Sequence, residues 1–169
     1  MLTSREAGAL SRAGALATVT GAMALIGWSG QKFAPTPNHP RTMAWYLLLR
    51  KPHFTPPGPV FGAAWGIIES ILAYGGYRLL RRKSSPARNA AVGLWTVNNL
   101  LIAGWSAIFF GRKALGVSAA TSAGMIATAG AYAVVAAKTD RTAAATAVPL
   151  IAWLGFATLL AEEVWRRND

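Results

Sequence analysis

Residues 45–77 read WYLLLRKPHFTPPGPVFGAAWGIIESILAYGGY, a proline-studded segment followed by an apolar run. The apolar run carries one acidic residue, Glu69, near its middle and a tryptophan, Trp65, four residues earlier. A soluble core rarely contains a lone carboxylate in such a run, because burying a charge without a partner costs free energy. The stretch therefore favours a membrane helix that forms one wall of a ligand pocket.

The composition of the whole chain also favours a membrane protein. Hydrophobic residues make up 53% of the 169 residues and charged residues only 14%, against about 25% charged in ordinary globular domains. The charged residues cluster and leave apolar runs of about 20 residues between them, a length that spans the hydrocarbon core of a bilayer as a helix. We therefore predict a multi-pass integral membrane protein whose surroundings are a lipid bilayer.

Two other classes of protein are disfavoured by the sequence. The net charge of +11 would suggest a nucleic-acid partner in a soluble protein, but here the basic residues stand between apolar runs, where they meet lipid headgroups. No nucleic-acid-binding module is recognisable, so nucleic acid is not expected as a partner. The chain has no cysteine and only two histidines, without nearby carboxylates, so no metal site is expected.

The apolar runs predict the fold class: an all-α integral membrane protein, one domain over residues 1–169, built as a bundle of five transmembrane helices. The expected spans are about 13–29, 60–80, 90–110, 114–137 and 143–164. Their short connections predict antiparallel packing of sequence neighbours. Residues 1–12 form a polar start with Arg5 and Glu6, and the first span could instead be a signal peptide; we favour a retained helix.

The longest polar segment, residues 31–59, holds seven of the nine prolines. Proline lacks a backbone N–H and fixes φ, so we expect extended or turn structure here that caps one mouth of the bundle. A stiff linker without a functional role is the alternative.

Helix periodicity suggests which side chains face the interior. Glu69 shares a helix face with Trp65, and a carboxylate in mid-membrane costs about 2.5–3.5 kcal/mol on insertion scales, so we interpret it as a pocket residue. In the third span, Asn98, Trp105 and Phe109 align on one face. The alternative for both polar residues is structural, since amides and carboxylates in hydrocarbon also join neighbouring helices by hydrogen bonds. In the fifth span, Trp153 and Ala157 share a face.

Three motifs, at residues 45–65, 105–111 and 149–168, resemble a known family when taken in order. The first contains Trp45-Tyr46, Lys51-Pro52, Phe54, Pro56-Pro57 and then Trp65; the second reads WSAIFFG; the third reads PLIAWLGFATLLAEEVWRRN. These motifs resemble those of the TspO/translocator protein family, also called tryptophan-rich sensory proteins or peripheral benzodiazepine receptors.

The resemblance implies a five-helix bundle, often a homodimer, with a pocket closed by the first loop. Family members bind tetrapyrroles such as protoporphyrin and haem, and some bind sterols, so a bound porphyrin or haem is the implied ligand. With the helix faces, it gives the candidate ligand-binding residues Trp65, Glu69, Asn98, Trp105, Phe109, Trp153 and Ala157. The candidate lid residues are Arg50, Lys51, Pro52, Phe54, Pro56 and Pro57, with the basic side chains of Arg50 and Lys51 expected to meet porphyrin propionates.

The sequence departs from the family pattern at several positions, with Pro59 and Glu69 standing where the family has aromatic residues. The function predicted from sequence is binding of a flat apolar ligand, a tetrapyrrole first of all, with a regulatory, stress-response or transport role. One alternative is an enzyme that degrades porphyrin in light through its pocket tryptophans. Another is a structural or partner-binding membrane subunit that has lost ligand binding.

Overall fold

The computed structural model describes residues 8–169, and these residues form helices with no strand among them. Arg5 and Glu6 of the polar start lie outside the described residues. The helices, in chain order, are α1 (Arg12–Phe33), α2 (Pro40–Leu48), α3 (Gly58–Leu80), α4 (Pro86–Ser106), α5 (Leu115–Ala137), α6 (Arg141–Ala145) and α7 (Ala147–Asn168), with a π-helical turn at Ala107–Gly111 that continues α4. The five long helices confirm the predicted all-α bundle.

The lengths and compositions of the helices fit a bilayer. Four helical stretches, Arg12–Phe33, Pro86–Gly111, Leu115–Ala137 and Arg141–Asn168, are long and apolar enough to cross a membrane. The fifth long helix, α3, has 23 residues and at 1.5 Å per residue is about 35 Å long, which exceeds the hydrocarbon core. Large apolar side chains point outward on the long helices, as lipid contact requires: Leu16, Ile67, Leu100, Val134, Val148 and Leu159.

The proline-rich segment contains a helix that the sequence prediction missed. The expectation of extended or turn structure is wrong over the nine residues Pro40–Leu48. Proline is excluded from helix interiors, but at the first helical position its missing N–H is not needed and its fixed φ is already helical. Pro40 occupies that position in α2.

In one end of the bundle, which we call the closed half, the helices approach one another closely. The indole N–H of Trp95 in α4 donates to the Leu72 carbonyl of α3 at 2.9 Å. Two glycines of α3 permit this approach: a Cβ on Gly76 would lie 2.6 Å from the Trp95 Nε1, and one on Gly75 would lie 2.7 Å from the Tyr132 hydroxyl. Small residues in membrane helices permit close packing, and here they leave room beside α3 for the Trp95 side chain of α4 and the Tyr132 side chain of α5.

Asp140, in the connection between α5 and α6, ties the closed half together. Its carboxylate receives the Arg78 Nε–H at 3.1 Å, the Arg82 Nη2 group at 2.7 Å and the Ala143 backbone N–H at 3.0 Å. Burial alone would raise the pKa of Asp140, but these hydrogen bonds and the charge of Arg78 together outweigh it and lower the pKa to about 2. The carboxylate therefore serves both as the N-cap of α6 and as an ion-pair partner for α3.

Candidate functional site

A cavity of about 730 Å³ lies in the other half of the bundle, beside the proline-rich segment. All five long helices contribute to its wall, which is mostly apolar. Its volume falls within the range of small-molecule sites, which are concave, apolar and carry few polar groups. The cavity is therefore the candidate ligand site.

Six of the seven ligand-binding residues predicted from sequence lie in the wall of this cavity. They are Trp65, Glu69, Trp105, Phe109, Trp153 and Ala157. They come from α3, α4, the π-helical turn and α7, so the fold brings together residues that are up to 92 positions apart in the sequence. The six residues therefore line a single cavity.

The aromatic rings of the wall pack against one another. Trp105 and Phe109 are stacked, with centroids 4.9 Å apart and an interplanar angle of 16°, while Trp65 and Trp153 meet edge to face at 6.2 Å. The Trp105 indole N–H donates to the Ser118 carbonyl of α5 at 3.0 Å, which fixes the ring orientation. The wall therefore presents ordered flat apolar surfaces.

The π-helical turn places two adjacent phenylalanines in this wall. Its wider ring is closed by the Arg112 N–H, which donates to the Ala107 carbonyl at 2.8 Å. Phe109 and Phe110 both reach the cavity, although neighbouring residues of an α-helix point about 100° apart. Such π-turns inside α-helices frequently occur at functional sites.

Glu69 is the one carboxylate in the wall, and the wall contains no lysine, arginine or histidine among the described residues. The Glu69 side chain is half-buried, and none of residues 8–169 forms a hydrogen bond or ion pair with it. The oxygens of a carboxyl group can accept hydrogen bonds whether or not the group is ionised. The site therefore suits a ligand that presents an N–H, an O–H or a positive charge to Glu69.

Asn98, the seventh predicted residue, lies outside the cavity wall. It is fully buried between α4 and α5, where its Oδ1 accepts from the Thr128 hydroxyl and its Nδ2 donates to the Leu94 carbonyl, at 3.0 and 2.9 Å. Both ends of the amide are thus used inside the protein. Asn98 therefore joins α4 to α5 by a hydrogen bond, which is the structural alternative that the sequence had left open for this residue.

The six predicted lid residues, Arg50, Lys51, Pro52, Phe54, Pro56 and Pro57, flank the cavity without lining it. The Lys51 ammonium donates to the carbonyls of Tyr46 and Leu49 at 2.5 and 3.2 Å and lies 4.5 Å above the Tyr46 ring; burial lowers the pKa of Lys51. The Lys51 side chain therefore bonds within the proline-rich segment and does not line the cavity. Other residues of the segment line the cavity: Ala34, Pro35, Thr36, Tyr46 and Thr55.

Two hydrogen bonds attach this segment to the last turn of α7, and we call this pair the latch. The Arg50 N–H donates to the Asn168 Oδ1 at 2.9 Å, and the Asn168 Nδ2 donates to the Arg50 carbonyl at 3.0 Å. Phe54 strengthens the attachment by packing edge to face against Phe156 of α7 at 6.3 Å. The proline-rich segment is thus held across the end of the bundle that contains the cavity.

Sequence reasoning missed the contributions of α1 and α5 to the wall. These are Ile26, Gly27, Gly30, Gln31, Ser122 and Met125. Ser122 and Met125 are three residues apart on α5, a spacing that places them on one helix face. That signal is available in the sequence, whereas α1 carries no motif that would single out its cavity face.

Comparison with known proteins identifies the family. The family model described as TspO/MBR family matches residues 17–166. The human translocator protein is 33% identical over 132 residues, covering 77% of this chain and 78% of its own. The translocator proteins of Ovis aries and Sus scrofa are 31% and 32% identical over 130 residues, covering 74% of this chain and 75% of theirs. The matched range includes α3, α4 and α5, most of α1 and α7, and every residue that lines the cavity, and the chain belongs to the TspO/MBR family.

Proposed function

We propose that the protein binds a large, flat and mostly apolar small molecule in the cavity, with a tetrapyrrole such as protoporphyrin or haem as the first candidate. The observation that carries the proposal is the aromatic wall formed by Trp65, Trp105, Phe109 and Trp153 around a volume of about 730 Å³. Aromatic rings offer flat surfaces on which a planar ligand stacks favourably. The relatives are named translocator proteins, so a transport or regulatory role for the bound ligand is part of the proposal.

Glu69 provides the orienting polar contact in this proposal. It accepts a hydrogen bond from an N–H or O–H group of the ligand, because no side chain of the described residues already uses its oxygens. An ionised propionate would find no cation in the wall beside Glu69. A tetrapyrrole therefore binds with its propionates away from Glu69.

Among the residues that the structure describes, none with a basic side chain lines the cavity, and this favours a second candidate, a sterol-like molecule. Such a ligand is rigid, apolar and uncharged, and its single hydroxyl can donate to Glu69. Tetrapyrrole and sterol differ in charge and in optical absorption, so the two candidates can be separated by experiment.

The test is quenching of tryptophan fluorescence by protoporphyrin, titrated into the full chain in mild detergent. Saturable quenching is expected, with a smaller amplitude in Trp65→Phe and Trp153→Phe. Trp28→Phe is the matched control, since Trp28 is exposed on α1 and lies outside the cavity wall. Quenching that does not saturate would contradict the tetrapyrrole candidate.

Cholesterol provides the second arm of this experiment. Saturable binding of cholesterol without saturable binding of protoporphyrin would favour the sterol-like ligand. Displacement of bound protoporphyrin by cholesterol would place both in one site. Failure of both molecules to bind would contradict the proposed function.

A further inference from the structure

We propose that a second site, at the end of the bundle opposite the cavity, binds the phosphate group of an anionic membrane lipid. This site, which we call the arginine cleft, has a volume of about 370 Å³. It lies where α1 begins and α3 ends and is lined by Arg12, Tyr77, Arg78, Arg81, Arg82 and Asp140. None of these residues lines the cavity, so the two sites are independent.

The net positive charge of the cleft favours an anionic ligand. Four arginines and a single aspartate line it, and among the described residues no other carboxylate does. Asp140 neutralises one guanidinium at most, so the lining keeps an excess of three positive charges. The planar fork of a guanidinium matches the oxygens of a phosphate group and can bind it through two hydrogen bonds at once.

The two arginines that contact Asp140 are positioned before any ligand arrives. The Asp140 side chain is 1% exposed, whereas those of Arg78 and Arg82 are 29% and 50% exposed. Each arginine is thus fixed by a buried carboxylate while part of its guanidinium remains accessible. Fixing side chains in advance lowers the entropy lost on binding.

Arg81 and Arg12 complete the cleft from its outer side. The Arg81 Nη1 donates to the Leu10 carbonyl at 2.9 Å, which holds the side chain against the start of α1. Arg12 is exposed and forms no side-chain hydrogen bond with the described residues. These two arginines can therefore be changed without removing a contact to Asp140.

The position of the cleft along the membrane normal favours a lipid as the source of the phosphate. A helix of 23 residues extends about 35 Å and so reaches beyond a hydrocarbon core of about 30 Å. The residues at the end of α3 therefore lie at the level of the lipid headgroups. Basic pockets at the ends of transmembrane helices are suited to acidic headgroups.

The experiment titrates the full chain, in a neutral detergent, with phosphatidylglycerol or phosphatidylcholine and counts bound lipids by native mass spectrometry. The wild type is expected to prefer phosphatidylglycerol. Each arginine near an anionic headgroup contributes roughly fivefold to binding, so Arg12→Gln with Arg81→Gln should weaken phosphatidylglycerol binding roughly tenfold to thirtyfold.

The matched control removes two charges from the same end of the protein but outside the cleft. Lys83 and Lys138 are both exposed and do not line it, so Lys83→Gln with Lys138→Gln should weaken binding by less than about threefold, as expected for screened surface charges. Arg12→Lys with Arg81→Lys keeps the charges but loses the guanidinium forks, so it should weaken binding less than the two glutamine substitutions do. If the double glutamine variant does not fold, Arg12→Gln alone should still lose roughly fivefold.

Three results would overturn the proposal. Equal affinity for the two lipids would exclude an anion site, and equal losses in the arginine and lysine variants would assign the effect to diffuse surface charge. Inorganic phosphate that displaces phosphatidylglycerol at comparable concentration would identify a soluble anion as the ligand instead of a lipid.

Discussion

The two halves of α3 have opposite environments. The second half, from Leu72 to Leu80, is largely buried, and α3 packs against α1, α4 and α6. This half includes the two glycines that permit close packing. The first half, from Gly58 to Glu69, has only Ile68 fully buried, and several of its residues face the cavity. A single helix thus contributes packing at one end and a ligand surface at the other.

This difference shows how a small membrane bundle can hold a cavity and remain folded. The hydrophobic effect contributes little to helix association in lipid, so close packing and hydrogen bonds must supply the stability. These interactions are concentrated in the closed half, around Trp95, Tyr132 and Asp140. The other half, which contains the cavity and which we call the open half, can then keep unfilled volume at little cost to the stability of the bundle.

The largest expected effect comes from breaking the closed half with Asp140→Ala. This change removes the N-cap of α6 and leaves Arg78 and Arg82 without their shared carboxylate. The arginines are partly solvated, so we expect a loss of about 2–4 kcal/mol rather than the full cost of breaking a buried pair. Denaturant unfolding in detergent, followed by circular dichroism, measures it; a loss below about 1 kcal/mol would contradict the assigned role.

Acid should produce a smaller version of the same effect. The folded pKa of Asp140 lies at about 2, below its ordinary value of 3.8, so the stabilisation is present above about pH 4 and is lost as the pH falls towards 2. Lowering the pKa of this carboxyl group from 3.8 to about 2 corresponds to about 2 kcal/mol of stability. Unfolding free energies measured from pH 5 to pH 2 should fall in the wild type, and Asp140→Asn should remove most of this slope.

Gly76→Ala should destabilise the protein by about 1–3 kcal/mol, because the added Cβ would overlap the rigid Trp95 ring in a close-packed interior. Gly93→Ala is the matched control, since a Cβ there meets nothing within 4 Å. Alanine is the better helix former, so the control should be neutral or stabilising. Thermal unfolding of both variants measures the difference, and equal midpoints would refute the close approach.

The smallest expected effect is on the open half, from Glu69→Gln. The unfolding free energy should be unchanged or slightly higher, because the change removes a carboxylate that has no partner among the described residues. The carboxamide that replaces the carboxyl group keeps an acceptor oxygen but cannot carry a negative charge. Affinity for a hydrogen-bond-donating ligand should therefore fall by at most roughly fivefold, the difference of about 1 kcal/mol between a hydrogen bond to a charged acceptor and one to a neutral acceptor. Ser70→Ala, next to Glu69 but outside the wall, should leave ligand binding unchanged; equal effects would contradict the role of Glu69.

Much of the fold follows from the sequence, since apolar runs broken by charge clusters are enough to predict five helices. Helix α2 could not be anticipated from proline content, because Pro40 stands at the one position where a helix accepts it. The π-helical turn could not be predicted, because no periodic pattern in the sequence marks it. It nevertheless brings Phe110 beside Phe109 in the cavity wall.

The candidate site was predictable where one helix face or a family motif contains the residues. Trp65 and Glu69 share a face of α3, so their common location follows from spacing alone. Asn98 could not be placed in this way, because its partner Thr128 belongs to another helix. The direction of the Lys51 side chain depends on nearby carbonyl groups, whose positions are set by the folded segment.

The latch between Arg50 and Asn168 restricts amino-acid substitution much more at one of its two positions than at the other. Both hydrogen bonds from position 50 use backbone atoms, so any residue there except proline, which lacks the N–H, can form them. Position 168 needs a carboxamide, because one side-chain group must donate while the other accepts. Substitutions at position 50 are therefore tolerated by the latch, whereas almost none is tolerated at position 168.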